Sequence, residues 1–265
     1  MTAPAPAVAE ADAAVAAPGP VRVDTVVGGR LVRFDRAERW LHWVNATLVL
    51  VLIATGSIMY IGALSGLVGR RLLVRDVHLW SGLLLPIPFL AVVAGRWGHG
   101  FRRDCARLGR FLTDDWRWLS RRQRRHGDLR VGKFNAGQKV NAVLVAGALP
   151  VMFGTGLLLH WARSFPESLR TGATFVHDWG YVALGLLVAG HIVKAMADPV
   201  ALHAMRTGLA PARWAKAAHP RWHDEVVGPA EAAGGVSDAE AEPEAGPAGG
   251  ADRPTPYDGT RSDQP

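Results

Sequence analysis

The stretch Trp40–Gly69, WLHWVNATLVLVLIATGSIMYIGALSGLVG, runs for thirty residues without a charged side chain. About 20 apolar residues in a helix cross the roughly 30 Å of bilayer hydrocarbon, so this stretch alone is long enough to span a membrane. Three more charge-free runs follow, at Val77–Gly95, Val140–Ala162 and Trp179–Val193. The last reaches spanning length if its helix begins near Ala173 and takes in Asp178 at its outer end. The pattern predicts an all-α membrane protein, a four-transmembrane-helix bundle with spans at about 38–62, 77–97, 138–161 and 173–197. Pro86 and Pro88 fall inside the second span and predict a kink there, because each removes a backbone donor.

Around the spans the composition changes. Residues 1–30 and 228–265 are expected to be disordered tails, rich in Ala, Pro, Gly and acids and without hydrophobic period. The bundle domain is assigned to 31–227. The N-terminal tail carries Glu10 and Asp12 but no basic n-region or apolar core, so no cleaved signal peptide is expected. The single cysteine, Cys105, excludes a disulfide framework, a cysteine-held iron–sulfur cluster and a CxxCH haem attachment.

Charge sets the orientation. The segment joining the second and third spans carries eleven basic residues from Arg102 to Lys133, whereas the last connection carries Arg163 and Arg170. The positive-inside rule makes that segment cytoplasmic. Four spans then place both termini in the cytoplasm, in the cell inner or plasma membrane. The net charge of +7 is accounted for by basic segments beside anionic lipid, so the lipid bilayer is the expected partner and nucleic acid is not. Phe111–Leu119, with Trp116 and Trp118, reads either as a surface-lying amphipathic helix or as an ordinary polar loop.

Depth in the membrane sorts the ten histidines. His42 lies near the inner start of the first span and His78 near the outer start of the second. The fourth span carries His177 near its outer end and His191 near its inner end. Fourteen residues are close to four turns, so those two share nearly one face about 21 Å apart. Two imidazoles at each of two levels are what bis-histidine ligation of two haems b requires. The expected pairs are His42 with His191 on the inner side and His78 with His177 on the outer side. A histidine at the end of a span is also commonly interfacial, and His160 is a rival that could replace His78 or His177. His99 reads as interfacial; His126, His203, His219 and His223 read as solvated. Asp178 is too far around the helix from His177 to be its obvious partner. Arg36, Arg39 and Lys194 are candidates to neutralise haem propionates, or else snorkel to lipid phosphate.

Six segments carry a family resemblance: FDRAERWLHW (34–43), VHLWSG (77–82), VGKFNAGQK (131–139), FVHDWG (175–180), Gly190–Ile192 and RWAKAAHPRW (213–222). Together they resemble the cytochrome b (gamma) subunit of membrane-bound formate dehydrogenase, over about residues 31–225. The resemblance implies haem iron at His42, His78, His177 and His191. It also implies a menaquinone site at Asn135, Gly137 and His191, with an iron–sulfur beta subunit and a catalytic alpha subunit as partners. Electrons would then pass from the iron–sulfur subunit through the outer and inner haems to the quinone, with no formate chemistry on this chain. Without the resemblance, Asn135 also reads as a cap and turn starting the third helix. The alternatives are a cytochrome b anchor for a hydrogenase or another molybdenum oxidoreductase, and a non-haem membrane anchor.

Overall fold

The computed structural model describes residues 24–120, 122, 124 and 128–232. Four helices are long and apolar enough to cross a membrane: Arg36–Tyr60, Arg71–Ala94, Ala136–His160 and Glu167–Met196. Almost none of the apolar window of the third is buried within the protein, and little of the fourth. Side chains so apolar and so exposed require hydrocarbon around them, and the chain is a membrane protein. The second and fourth spans each begin six residues earlier than the hydropathy predicts, because Arg71, Arg75, Glu167 and Arg170 continue the helix while their charges reach past the apolar layer.

Local chemistry starts and bends these helices. Asp35 caps the first span: its carboxylate accepts from the Glu38 amide at 2.8 Å, and the Glu38 carboxylate accepts from the Asp35 amide at 2.8 Å. Asn135 and Gln138 form the same reciprocal box at the start of the third span, at 3.0 and 2.9 Å. The kink expected in the second span is present: the helix breaks at Leu85, between Arg71–Leu84 and Pro86–Ala94. Pro86 cannot donate to Gly82, and the Leu85 amide bonds both Ser81 (3.1 Å) and Gly82 (3.3 Å) in its place. Pro150, in contrast, sits inside the third span without breaking it.

The membrane bundle is all helical, but the basic side carries a small sheet that the hydropathy does not reveal. Strands β1 (Val26–Val27), β2 (Arg30–Val32) and β3 (Leu209–Pro211) pair antiparallel in that order. Gly28 and Gly29, both at positive φ, make the two-residue turn between β1 and β2. Leu31 packs with Ala204, Ala210, Ala215, Trp222 and Val226 in a buried cluster. The boundaries set for disordered tails at 30 and 228 therefore need correction. Residues 24–30 belong to this sheet, and the last helix, Pro220–Ala232, runs past 228. The remainder of both tails lies outside the described residues.

Ion pairs tie the three basic-side segments together. The Asp24 carboxylate meets Arg103 and Arg107 at 2.8 Å each and accepts from the Trp222 indole at 2.8 Å. Burial alone would raise its pKa, but Lys133, the Trp222 indole and Arg107 hold it below the usual carboxylate range. Arg33 donates to the Lys133 carbonyl at 3.0 Å, and the Arg221 amide donates to Val131 at 3.1 Å. The chain before the first span, the segment between the second and third, and the chain after the fourth thus lie on one side, as an even number of spans requires. The Phe111–Leu119 segment holds a seven-residue helix, Thr113–Leu119, pinned to the third span by Asp115 on the Lys139 ammonium at 2.6 Å.

Candidate functional site

The bundle brings together the pairs expected from depth. His42 of the first span faces His191 of the fourth with ring centres 6.1 Å apart. His78 of the second faces His177 of the fourth at 6.4 Å. A metal–imidazole nitrogen bond is about 2 Å, and the nitrogen lies about 1 Å from its ring centre, so two imidazoles on one metal have centres about 6 Å apart. Both pairs meet that spacing. Among the described residues no three or more His, Cys, Asp or Glu side chains cluster as metal ligands. Two axial imidazoles with the remaining positions left to a macrocycle therefore suit these sites better than a bare ion does.

The outer pair is the more elaborately held. The Thr55 hydroxyl of the first span lies 2.9 Å from His78 Nδ1, and the Thr155 hydroxyl of the third lies 2.9 Å from His177 Nδ1. Each threonine is followed by a glycine that lets a ring approach the helix backbone. A β-carbon at Gly56 would stand 3.6 Å from His78 Cε1, and one at Gly156 would stand 3.5 Å from His177 Cε1. Tyr181, one turn after His177, packs its ring on Gly56 and places its hydroxyl 2.7 Å from the Ser57 Oγ. A cavity of about 690 Å³ opens between these helices, its wall chiefly apolar, with Leu52, Met152, Phe153 and Leu184 beside the two histidines. Arg75, Asp178 and His160 stand among its polar lining. A cavity this large and apolar between two facing imidazoles fits a flat macrocycle.

The inner pair is barer. Among the described residues neither His42 nor His191 has a hydrogen-bond partner; His42 meets the edge of Trp43 at 5.3 Å. Asn45, one turn after His42, keeps a buried amide oxygen without a partner. Arg39, a candidate for a propionate, already donates to the Arg206 carbonyl at 2.6 Å and to Asp35 at 3.3 Å. Arg36 and Lys194 are exposed.

Residues 33–208, which include all four spans and all four paired histidines, match the family model of prokaryotic cytochrome b561. The chain belongs to that family. Membership in the cytochrome b561 family implies haem b, the group that facing imidazoles across an apolar cavity fit. Among known proteins the chain is similar to the formate dehydrogenase cytochrome b556(fdo) subunit of Escherichia coli strain K12. The identity is 26% over 208 residues, covering 74% of this chain and 93% of that one. It is 22% identical over 209 residues to the formate dehydrogenase cytochrome b556 subunit of Haemophilus influenzae, covering 75% and 84%. The nitrate-inducible formate dehydrogenase cytochrome b556(Fdn) subunit of E. coli K12 is 29% identical over 99 residues, 36% of this chain and 46% of that one. These relatives bear out the resemblance read from the six segments, although RWAKAAHPRW lies beyond the region that matches the family model.

The other expected residues of this b561-family chain fall in distinct places. Asn135 caps the third span, and Gly137 lies under the Trp118 ring, where a β-carbon would stand 3.1 Å from the ring carbons. Their neighbours are Gln138 and Trp118, whereas His191 meets His42. His160 packs against Trp161 at 5.1 Å and joins neither pair. His99 and His203 are exposed, His223 is half-buried beside Asp224, and His126 lies outside the described residues.

His219 corrects the expectation of a solvated side chain. It is 4% exposed, donates to the Gly132 carbonyl at 2.6 Å and packs at a tilt against Trp214, ring centres 4.8 Å apart. Burial and the nearby Arg33 guanidinium push its pKa down to about 3. Arg33 is itself buried against Trp214 and Trp222 and is pushed down to about 10 by that burial. The hydropathy of a polar segment hides this pocket because its apolar walls come from three separated stretches of chain. Thr55, Thr155 and Tyr181 also escaped the sequence reading. Their signal was the recurrence of Thr-Gly at 55–56 and 155–156, each on a span neighbouring a histidine-bearing one.

Proposed function

We propose that this chain is the diheme cytochrome b membrane subunit of a formate dehydrogenase complex, passing electrons from an iron–sulfur subunit across the membrane to menaquinone. The observation that carries the reading is the two histidine pairs, at 6.1 and 6.4 Å, at opposite ends of one four-helix bundle. The E. coli and H. influenzae relatives, aligned over 93% and 84% of their own length, bear formate dehydrogenase cytochrome b556 names, which supports the choice of complex.

Two haems b, when bound, supply one-electron carriers. His42 and His191 hold the inner one, His78 and His177 the outer one. The fourth span gives a ligand to each, so one rigid helix sets the separation of the two sites. The outer cavity is lined chiefly by apolar side chains, which favours a flat apolar group there. On the cytoplasmic side, Asn135 commits its amide oxygen to the Gln138 N–H and retains its amide N–H groups as donors for a quinone carbonyl. The resemblance adds Gly137, which lies under Trp118, and His191, which faces His42, to that site. The iron–sulfur beta subunit and catalytic alpha subunit are the partners, with both termini of this chain in the cytoplasm and formate oxidation on the opposite side of the plasma membrane.

The test is the dithionite-reduced absorption spectrum of the purified full chain, with pyridine haemochrome quantification. Two haems b per chain are expected, and a spectrum with no haem α-band would overturn the reading. Copurification of the full chain with an iron–sulfur protein and a formate-oxidising subunit checks the complex. Recovery with hydrogenase subunits instead would overturn the assignment to formate dehydrogenase.

A further inference from the structure

The outer and inner histidine pairs differ in one respect that ring spacing does not show. Each outer ring has a threonine hydroxyl on Nδ1, supplied by a neighbouring span, and among the described residues neither inner ring has such a partner. The threonines are also committed to their own helices. Thr55 Oγ1 lies 2.7 Å from the Val51 carbonyl and 3.3 Å from Leu52. Thr155 Oγ1 lies 2.8 Å from Val151 and 3.2 Å from Met152.

A hydroxyl has one proton, and a carbonyl can only accept. With that proton given to the carbonyl one turn back, the threonine oxygen faces the imidazole as an acceptor. The imidazole proton therefore sits on Nδ1, and Nε2 is left as a bare lone pair. We propose that Thr55 and Thr155 are positioning residues of the outer haem site, fixing His78 and His177 in the Nδ1–H tautomer with Nε2 presented to iron.

The glycine after each threonine is part of the device. Gly56 and Gly156 leave room for the Cε1 edge of the imidazole that the preceding threonine holds, at 3.6 and 3.5 Å from where a β-carbon would be. Each Thr-Gly pair thus grips one ring by its Nδ1 and its adjacent carbon. The first span holds the ligand of the second, and the third holds the ligand of the fourth.

This inference rests on the diheme reading and adds an asymmetry to it. A hydrogen bond accepted from the distal N–H of a ligand imidazole raises the basicity of the ligand and fixes its orientation. Greater basicity favours the oxidised iron, so hydrogen bonding around the axial ligand is a lever on potential. The outer site, held by two threonines, is thereby set lower in potential than its ligands alone would make it. The inner site lacks this contribution. The difference favours electron movement from the outer level to the inner one, toward the quinone.

The experiment is an equilibrium redox titration of the haem absorption in the full chain, with variants Thr55→Val, Thr155→Val, the double Val variant, and Thr55→Ser and Thr155→Ser. Each Val variant is expected to move one haem to a more positive midpoint and leave the other in place. The double variant should lose outer haem on washing on the order of 10-fold faster, as for other lost partners of metal-bound histidines. The Ser variants, which restore a hydroxyl, should return the midpoint. Thr→Ala variants read the same shift if the Val variants do not accumulate. Unmoved midpoints with full haem content, or a shift that Ser does not restore, overturn the proposal. His78→Ala and His177→Ala separate the two levels of argument. If they remove one haem while the Val variants are silent, this inference alone fails; if they leave both haems in place, the ligation reading fails and this one with it.

Discussion

In the proposed function Asn135 is both a helix cap and a quinone donor, and one substitution separates the two. Its side-chain oxygen accepts from the Gln138 amide at 3.0 Å while Gln138 reaches back to the Asn135 amide at 2.9 Å. Loss of such a cap costs about 1 kcal/mol, within a range of roughly 0.5–2. Asn135→Ala removes both the cap and the amide donor, so slowed turnover in that variant would not say which one mattered. Asn135→Asp keeps an oxygen in the capping position, since Asp caps about as well as Asn, but a carboxylate has no N–H to offer. Losing one donor to a quinone carbonyl is worth about 1–1.5 kcal/mol, close to a tenfold change. Asn135→Gly, which costs a helix start only a few tenths of a kcal/mol and has neither charge nor side-chain donor, controls for the carboxylate. The assay reduces the haems through the native donor and follows quinol formation separately. Asn135→Asp and Asn135→Gly are expected to stay within a few tenths of a kcal/mol of wild-type stability, reduce haem normally and form quinol about tenfold more slowly. Wild-type quinol formation in both would refute the quinone role and leave Asn135 as a cap alone.

His78→Ala and His177→Ala should each remove the same one haem, while His160→Ala keeps both; haem loss in His160→Ala would overturn the outer pairing. The basic side of the protein should weaken in acid. The unfolded His219 takes up its proton near pH 6.5 and the folded one only near about 3, so stabilisation by the neutral buried ring is complete above 6.5 and is lost as the pH falls through that window. His219→Phe is expected to flatten the pH dependence of thermal unfolding there, and an unchanged slope would show that the ring is not the titrating group. Gly208→Ala should destabilise the joint between the sheet and the first span by about 1–3 kcal/mol. Gly208 sits at φ +90° and a β-carbon would press on the Phe34 carbonyl at 2.5 Å; an unaltered melting temperature would show that the joint relaxes freely.

The readable part of this protein was the part under the strongest physical constraint. Hydrocarbon tolerates few charges, so the absence of charge over Trp40–Gly69 was enough to locate a span, and the scarcity of ionisable groups at membrane depth singled out His42, His78, His177 and His191. Pro86 announced its kink for the equally local reason that it has no N–H to give. The unreadable part depended on chains meeting from far apart. Trp222, Leu31 and Ala204 form a core only after the sheet has joined the chain before the first span to the chain after the fourth. Thr55 and Thr155 passed as ordinary span residues because a membrane helix accommodates threonine by internal bonding, and nothing in their immediate neighbours shows that a histidine faces them.

The interval between His177 and His191 is a ruler cut into a single helix. Adding or removing one residue within it would swing one imidazole by about 100° and shift it by about 1.5 Å relative to the other. No adjustment in the loops could restore both, because the error lies inside the measuring element itself. By contrast, the connection between Tyr60 and Arg71 joins helices whose paired histidines belong to different levels, and it lies outside the helix that sets their separation. Engineering of this chain can therefore alter that connection while the fourteen-residue interval from His177 to His191 keeps its length.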